Sequence, residues 1–174
     1  KAMGLTVKGA LDITDADRDA AANELYLTGK LTAGSMNLTN ADITLQNTQA
    51  AQSITLNLAK GADKQPVINT LTGSSLYANG SMSVTGHLSL LGASSIHLED
   101  TAKGKAMNLA VKGDLTLGSG SSLTLSGALS AANMTLNGGS INLTSTKLQT
   151  IKVSKELTFG GSITLGLQKG LDIK

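Results

Sequence analysis

The residues able to do chemistry are few and scattered. Asp15, Asp17 and Asp19 alternate like the first half of an EF-hand calcium loop, but Ala20 stands where that loop needs Gly. Tyr26 then occupies the position of the bidentate Glu. A solvated helix start suits these acids better, because carboxylates favour the positive end of a helix dipole. His87 and His97 each sit between residues of one apolar phase, with Glu99 and Asp100 beside His97. Neither HxH nor HxxxH spacing is present, so outward-facing surface histidines are expected rather than metal ligands. Tyr26 and Tyr77 suit stacking against sugar rings or plain surface cover, and the paired carboxylates of a sugar-cleaving enzyme do not converge with them. A Walker loop, a GxSxG elbow and any nucleophile–base signature are missing from the chain. The expectation is a protein that is not an enzyme, with no catalytic, cofactor-binding or metal residues and no cofactor.

The elements that must position these groups are strands. Apolar and polar residues alternate along most of the 174 residues, as in Leu5/Val7, Met36/Leu38, Ile54/Leu56/Leu58, Leu88/Leu90, Leu115/Leu117 and Ile163/Leu165. Period two places each apolar set on one face and the residues between on the other. Apolar residues make up 40% but aromatics only 2%, so the core must be built from Leu, Ile, Val, Met and Ala. Met36, Met82, Met107 and Met134 fall on the inward phase, where a flexible thioether fills uneven space. The runs are short, three to five residues in most cases.

Internal repetition decides between architectures. LYLTGKL at 25–31, LYANGSM at 76–82 and LTLSGAL at 123–129 align, and their starts lie 51 and 47 residues apart. A further echo joins VKGALDI at 7–13 to VKGDLTL at 111–117. Each copy is read as two coils of about 20–25 residues, the common solenoid size. A β-sandwich is the rival, but its strands run longer and its core carries aromatics. In a parallel coil, like stacks on like about 4.8 Å apart. Inward Leu and Ile form apolar ladders; outward Thr and Asn form polar ones. A charge repeated in every coil would face its own sign, and residues 115–146 carry none. The predicted fold is an all-β parallel β-helix of seven or eight coils, about 35 Å long, filling residues 1–174 as one segment. Leu125 and Leu136 are predicted to point inward.

Three stretches break the rhythm. Residues 14–24 are Ala-rich and acidic, with Thr14 and Asp17 spaced as a capping box, which predicts a short helical excursion. Residues 47–52 and 59–65 read as longer loops. Neither 1–7 nor 166–174 has the polar character of a solenoid cap, and both ends look cut from a longer repeat protein. End-to-end self-association is therefore expected.

The repeats SLTLSG at 122–127 and GSITLG at 161–166 resemble those of bacterial autotransporter passenger domains, in style over nearly the whole chain. The filamentous-haemagglutinin type of secreted adhesin is similar and comes second. The resemblance implies a right-handed β-helix that is secreted or displayed on a Gram-negative outer membrane. It also implies a structural or adhesive rod, or else the scaffold of a toxin or enzyme whose active part lies elsewhere. Cysteine is absent, which suits a cytosolic protein and equally one exported in an unfolded state. The expected partner is a host-surface protein or a glycan. Nucleic acid is not expected, because net charge is only +2, Arg18 is the sole Arg and the lysines are dispersed. No apolar run nears the roughly 20 residues of a membrane span, so no membrane contact is expected. The Asn-x-Ser/Thr triplets at Asn37, Asn79, Asn133 and Asn142 are read as products of composition.

Overall fold

Alternation puts Leu, Ile or Met at every second position, and such strands bury one face only if other strands close around it. They do so here by winding. A computed structural model describes residues 2–16, 23–46, 52–58, 60–100, 104–145, 148–165 and 171–173. Among them every strand pairing is parallel and no helix occurs, and 18 strands form a single sheet. The partners are strands one coil away rather than sequence neighbours, as a β-solenoid requires.

The coil has three faces. On the first, Leu5, Leu31, Ile54, Met82, Leu109, Leu129, Ile151 and Ile173 are successive partners. On the second, Ile13, Leu38, Leu71, Leu90, Leu117, Leu136 and Phe159 follow one another. On the third the column runs Leu25, Ile43, Leu76, Ile96, Leu123, Ile141 and Ile163. The described chain thus makes seven coils and the first strand of an eighth. Leu25 reaches Leu76 by way of Ile43, and Leu76 reaches Leu123 by way of Ile96, so each sequence repeat is two coils. The inward columns close into one continuous core that includes Met36, Met82, Met107 and Met134. Each Leu or Ile so buried contributes about 1.5–3 kcal/mol of transfer free energy.

Four strands exceed the expected length: Leu5–Thr14, Leu31–Thr39, Met134–Leu143 and Leu157–Leu165. Each continues around a corner from one face to the next, where a one- or two-residue turn leaves the pairing almost unbroken. The helical excursion at 14–24 is corrected at its ends. Thr14 is the last residue of a strand, and Asn23 and Glu24 open the strand Asn23–Leu27. Thr14 is therefore no helix cap; residues 17–22 lie outside the described residues. Gln52, read as loop, is a buried strand residue, whereas 60–65 form a loop closed by a Lys60–Pro66 bridge.

Coil length varies between 18 residues (Asn23 to Ala41) and 33 (Asn37 to Thr70). The difference lies wholly at corners. An insertion within a strand would turn its apolar side outward, while one at a corner leaves the columns intact. Where residues 57–67 enlarge one corner, the inward Asn69 repairs the ladder. Its Oδ1 accepts the Met36 N–H at 3.0 Å and its Nδ2 donates to the His87 carbonyl at 2.8 Å. From the second coil to the sixth, the corner between second and third faces instead stays tight and uses left-handed residues. Asn40, Gly73, Gly92, Ala93, Gly120 and Gly138 all have φ between 51° and 77°.

Candidate functional site

Among the described residues, the acids and histidines singled out by sequence do not gather into one metal-holding group. Asp15 is tied into the rod by its N–H, which donates to the Thr39 carbonyl at 2.9 Å, while Asp17 and Asp19 lie outside the described residues. His87 and His97 stand on different faces, the second and the third. His87 Nδ1 accepts the Asp114 N–H at 3.0 Å and lies 3.1 Å from Asp114 Oδ2. Asp114 Oδ1 accepts from Asn133 Nδ2 at 2.6 Å, so this trio pins successive corners of the rod together. Among the described residues no group of three or more His, Cys, Asp or Glu is arranged to hold a metal.

The third face carries a different pattern. Outward from its apolar column run Tyr26, Thr44, Tyr77, His97, Thr124 and Asn142, each the partner of the next. Beside them run Ser75, Ser95, Ser122, Ser140 and Ser162, also successive partners. Tyr77 and His97 are thus neighbours, one coil or about 4.8 Å apart along the axis. Tyr26 lies two coils below Tyr77, as the repeat alignment requires, and is half exposed.

At the end of this face the chain turns to the first face, and there the corners alternate in size. Ten residues separate the strands that end at Leu98 and begin at Leu109, three separate Leu125 from Leu129, and five separate Leu143 from Gln149. Among the described residues of these corners lies a cleft of about 320 Å³. It is lined by Glu99, Asp100, Lys105, Ser126, Thr144 and Ser145. A second hollow of about 200 Å³ shares Ser126 and Ser145 and is bordered by Leu148, a strongly exposed apolar side chain.

The cleft walls are anchored. Ser126 Oγ accepts the Met107 N–H at 3.1 Å and donates to the Lys105 carbonyl at 3.1 Å, holding the first loop. The loop is also closed on itself by the Asp100–Lys105 bridge and a bond from the Gly104 N–H to the Asp100 carbonyl. Gln149, buried, donates through Nε2 to the Gly127 carbonyl at 3.0 Å and accepts the Ser145 N–H at 3.2 Å, holding the second loop. The Thr144 hydroxyl donates to Glu99 Oε1 across the intervening coil, so one bond joins the two walls. Gly127 is required at the floor. A Cβ there would lie 2.3 Å from Asn108 Oδ1 and 2.5 Å from the Met107 carbonyl oxygen.

Sequence reading singled out Tyr77, His97, Glu99 and Asp100 but not Ser126, Thr144 or Gln149. The available signal was spacing: residues 99–108 interrupt the alternation as clearly as 59–65 do. Comparison with family models, curated proteins and solved structures finds no match to this chain.

Proposed function

We propose that this chain is a structural and adhesive rod segment of a secreted or surface-displayed bacterial passenger domain, presenting its corner loops to a host or neighbouring-cell surface. The observation that carries the reading is the division of labour in the coil. The three faces are stacked columns that tolerate little change, and every insertion is confined to a corner. A scaffold with anchored loops is where binding is commonly placed. Autotransporter-like repeats support an extracellular setting, and the absence of cysteine is compatible with it. The test is saturable binding of the labelled chain to epithelial monolayers and matrix proteins. Binding should fall when residues 99–108 are shortened to the three-residue corner found at 126–128, with the circular dichroism spectrum preserved. Absence of saturable binding, or binding indifferent to the loop, would contradict the adhesive role.

A further inference from the structure

The third face leads directly into the cleft at its edge. Glu99, Ser126 and Thr144 each follow His97, Thr124 and Asn142 by two residues, about 7 Å along the strand. Planar rings therefore stand in one column, and hydroxyl, amide and carboxylate groups stand beside and beyond them. From this juxtaposition we infer that the surface from Tyr77 to Thr144 binds a neutral oligosaccharide lying along the rod axis. This rests on the adhesive reading and specifies its ligand.

The chemistry selects that class in three ways. First, Tyr77 and His97 are half-buried, so their flanks are fixed and a part of each ring is open to a partner. A sugar ring presents a C–H face to such rings and its hydroxyls sideways, where the part-exposed Ser95, Ser122 and Asn142 stand, Thr124 between them being buried. Tyr contributes contact area at low conformational cost. Second, Glu99 accepts the Thr144 hydroxyl with one oxygen, and a carboxylate has capacity for several further donors, such as a pair of adjacent sugar hydroxyls. Third, the outward residues of this face from Ser75 to Asn142 include no Lys or Arg. In the cleft the ammonium of Lys105 stands with the two carboxylates of Glu99 and Asp100. Sulfated or sialylated chains and phosphate backbones would meet no excess of positive charge, whereas an uncharged chain meets no penalty. The cleft volume sits at the lower end of small-molecule sites, about 300–1,000 Å³, enough to seat one end of the glycan while the rest follows the face.

The experiment is titration of the intact chain with neutral hexasaccharides (maltohexaose, cellohexaose, mannohexaose, chitohexaose), with heparin and polysialic acid as anionic arms. It is read by calorimetry and by amide NMR shifts. The expected result is saturable binding of at least one neutral hexasaccharide, with shifts centred on Tyr77, His97, Glu99 and Ser126. Tyr77→Ala and Glu99→Gln should each weaken it by about tenfold or more, as for anchor residues of an interface. Thr116→Ser on the second face should leave it unchanged, and melting curves check that the variants are folded. No binding of any neutral hexasaccharide, preference for the anionic polymers, or equal binding by the two variants overturns the inference. Cell binding separates this failure from that of the adhesive reading. If binding survives both variants and periodate oxidation of the monolayer, the partner is a protein: the glycan inference falls and adhesion stands. If the chain binds no surface at all, the adhesive reading falls too.

Discussion

Single side chains in this rod are judged by which phase of the alternation they occupy. Leu125 is fully buried between Leu98 and Leu143, as the sequence predicts. Leu125→Ala should lower stability by about 2–5 kcal/mol in denaturant unfolding, through lost burial and the cavity left behind. Leu125→Asp should prevent folding, since its neighbours offer a carboxylate no partner. Polar residues at the inner corner are a subtler case. Ser74 Oγ accepts the Ala41 N–H, and Ser94 Oγ accepts the Ser74 N–H, so each hydroxyl serves the coil below. Ser121 continues the column, but its buried Oγ has no hydrogen-bond partner. Ser74→Ala should therefore cost about 1–3 kcal/mol by stranding a buried N–H, while Ser121→Ala should be neutral or stabilising. Equal effects would contradict the ladder. The alternation made inward Leu and Met legible, but not these serines. Their role depends on what stands one coil away, and a sequence shows no such neighbour until the register is known.

At the scale of elements, strands and corners follow different rules. The two-residue period located nearly every strand, because an apolar pair flanking a polar residue has one stable placement in a closed coil. The corners were read less well. Residues 14–24 have helical composition, yet Thr14 and Asn23 are held in strands by pairing with Thr39 and Ala41. At these two positions ladder bonds to a neighbouring coil outweigh the weak intrinsic preference for helix. The cleft was not legible for a related reason: Glu99 and Thr144 are far apart in sequence and become neighbours only across the coil that carries Ser126. Gly127→Ala offers a test of this corner. The added methyl must displace Asn108 or the Met107 carbonyl, so the variant should melt at lower temperature. The amide signals of the 99–108 loop should shift most. A melting temperature and loop spectrum like those of the parent would show that the corner is not tightly packed.

At the scale of the whole molecule, the rod is held by parallel stacking of equivalent strands. The 51- and 47-residue repeats made that stacking legible, although coil lengths from 18 to 33 residues hid the single-coil period. Both ends of the stack leave apolar side chains part-covered: Leu5, Val7, Leu11, Ile13 and Leu25 at one, Val153, Leu157 and Ile163 at the other. Phe159 and Ile173 are more than half exposed at the second. Such open ends expose strand edges as well, and sedimentation should show concentration-dependent association that a charged substitution at Phe159 weakens. The most direct test of the stack exploits the absence of native cysteine. Ser89, Thr116 and Thr135 are outward partners on three successive coils, and neighbouring strands lie about 4.8 Å apart, within disulfide reach of roughly 4.4–6.8 Å. The double variants Ser89→Cys/Thr116→Cys and Thr116→Cys/Thr135→Cys should cross-link readily under mild oxidation while keeping the native spectrum. Ser89→Cys/His97→Cys should not, because those positions face different sides of the rod, although they would lie opposite each other in an antiparallel hairpin of adjacent strands. Cross-linking of the Ser89/His97 pair, with neither of the other two forming, would contradict the solenoid itself.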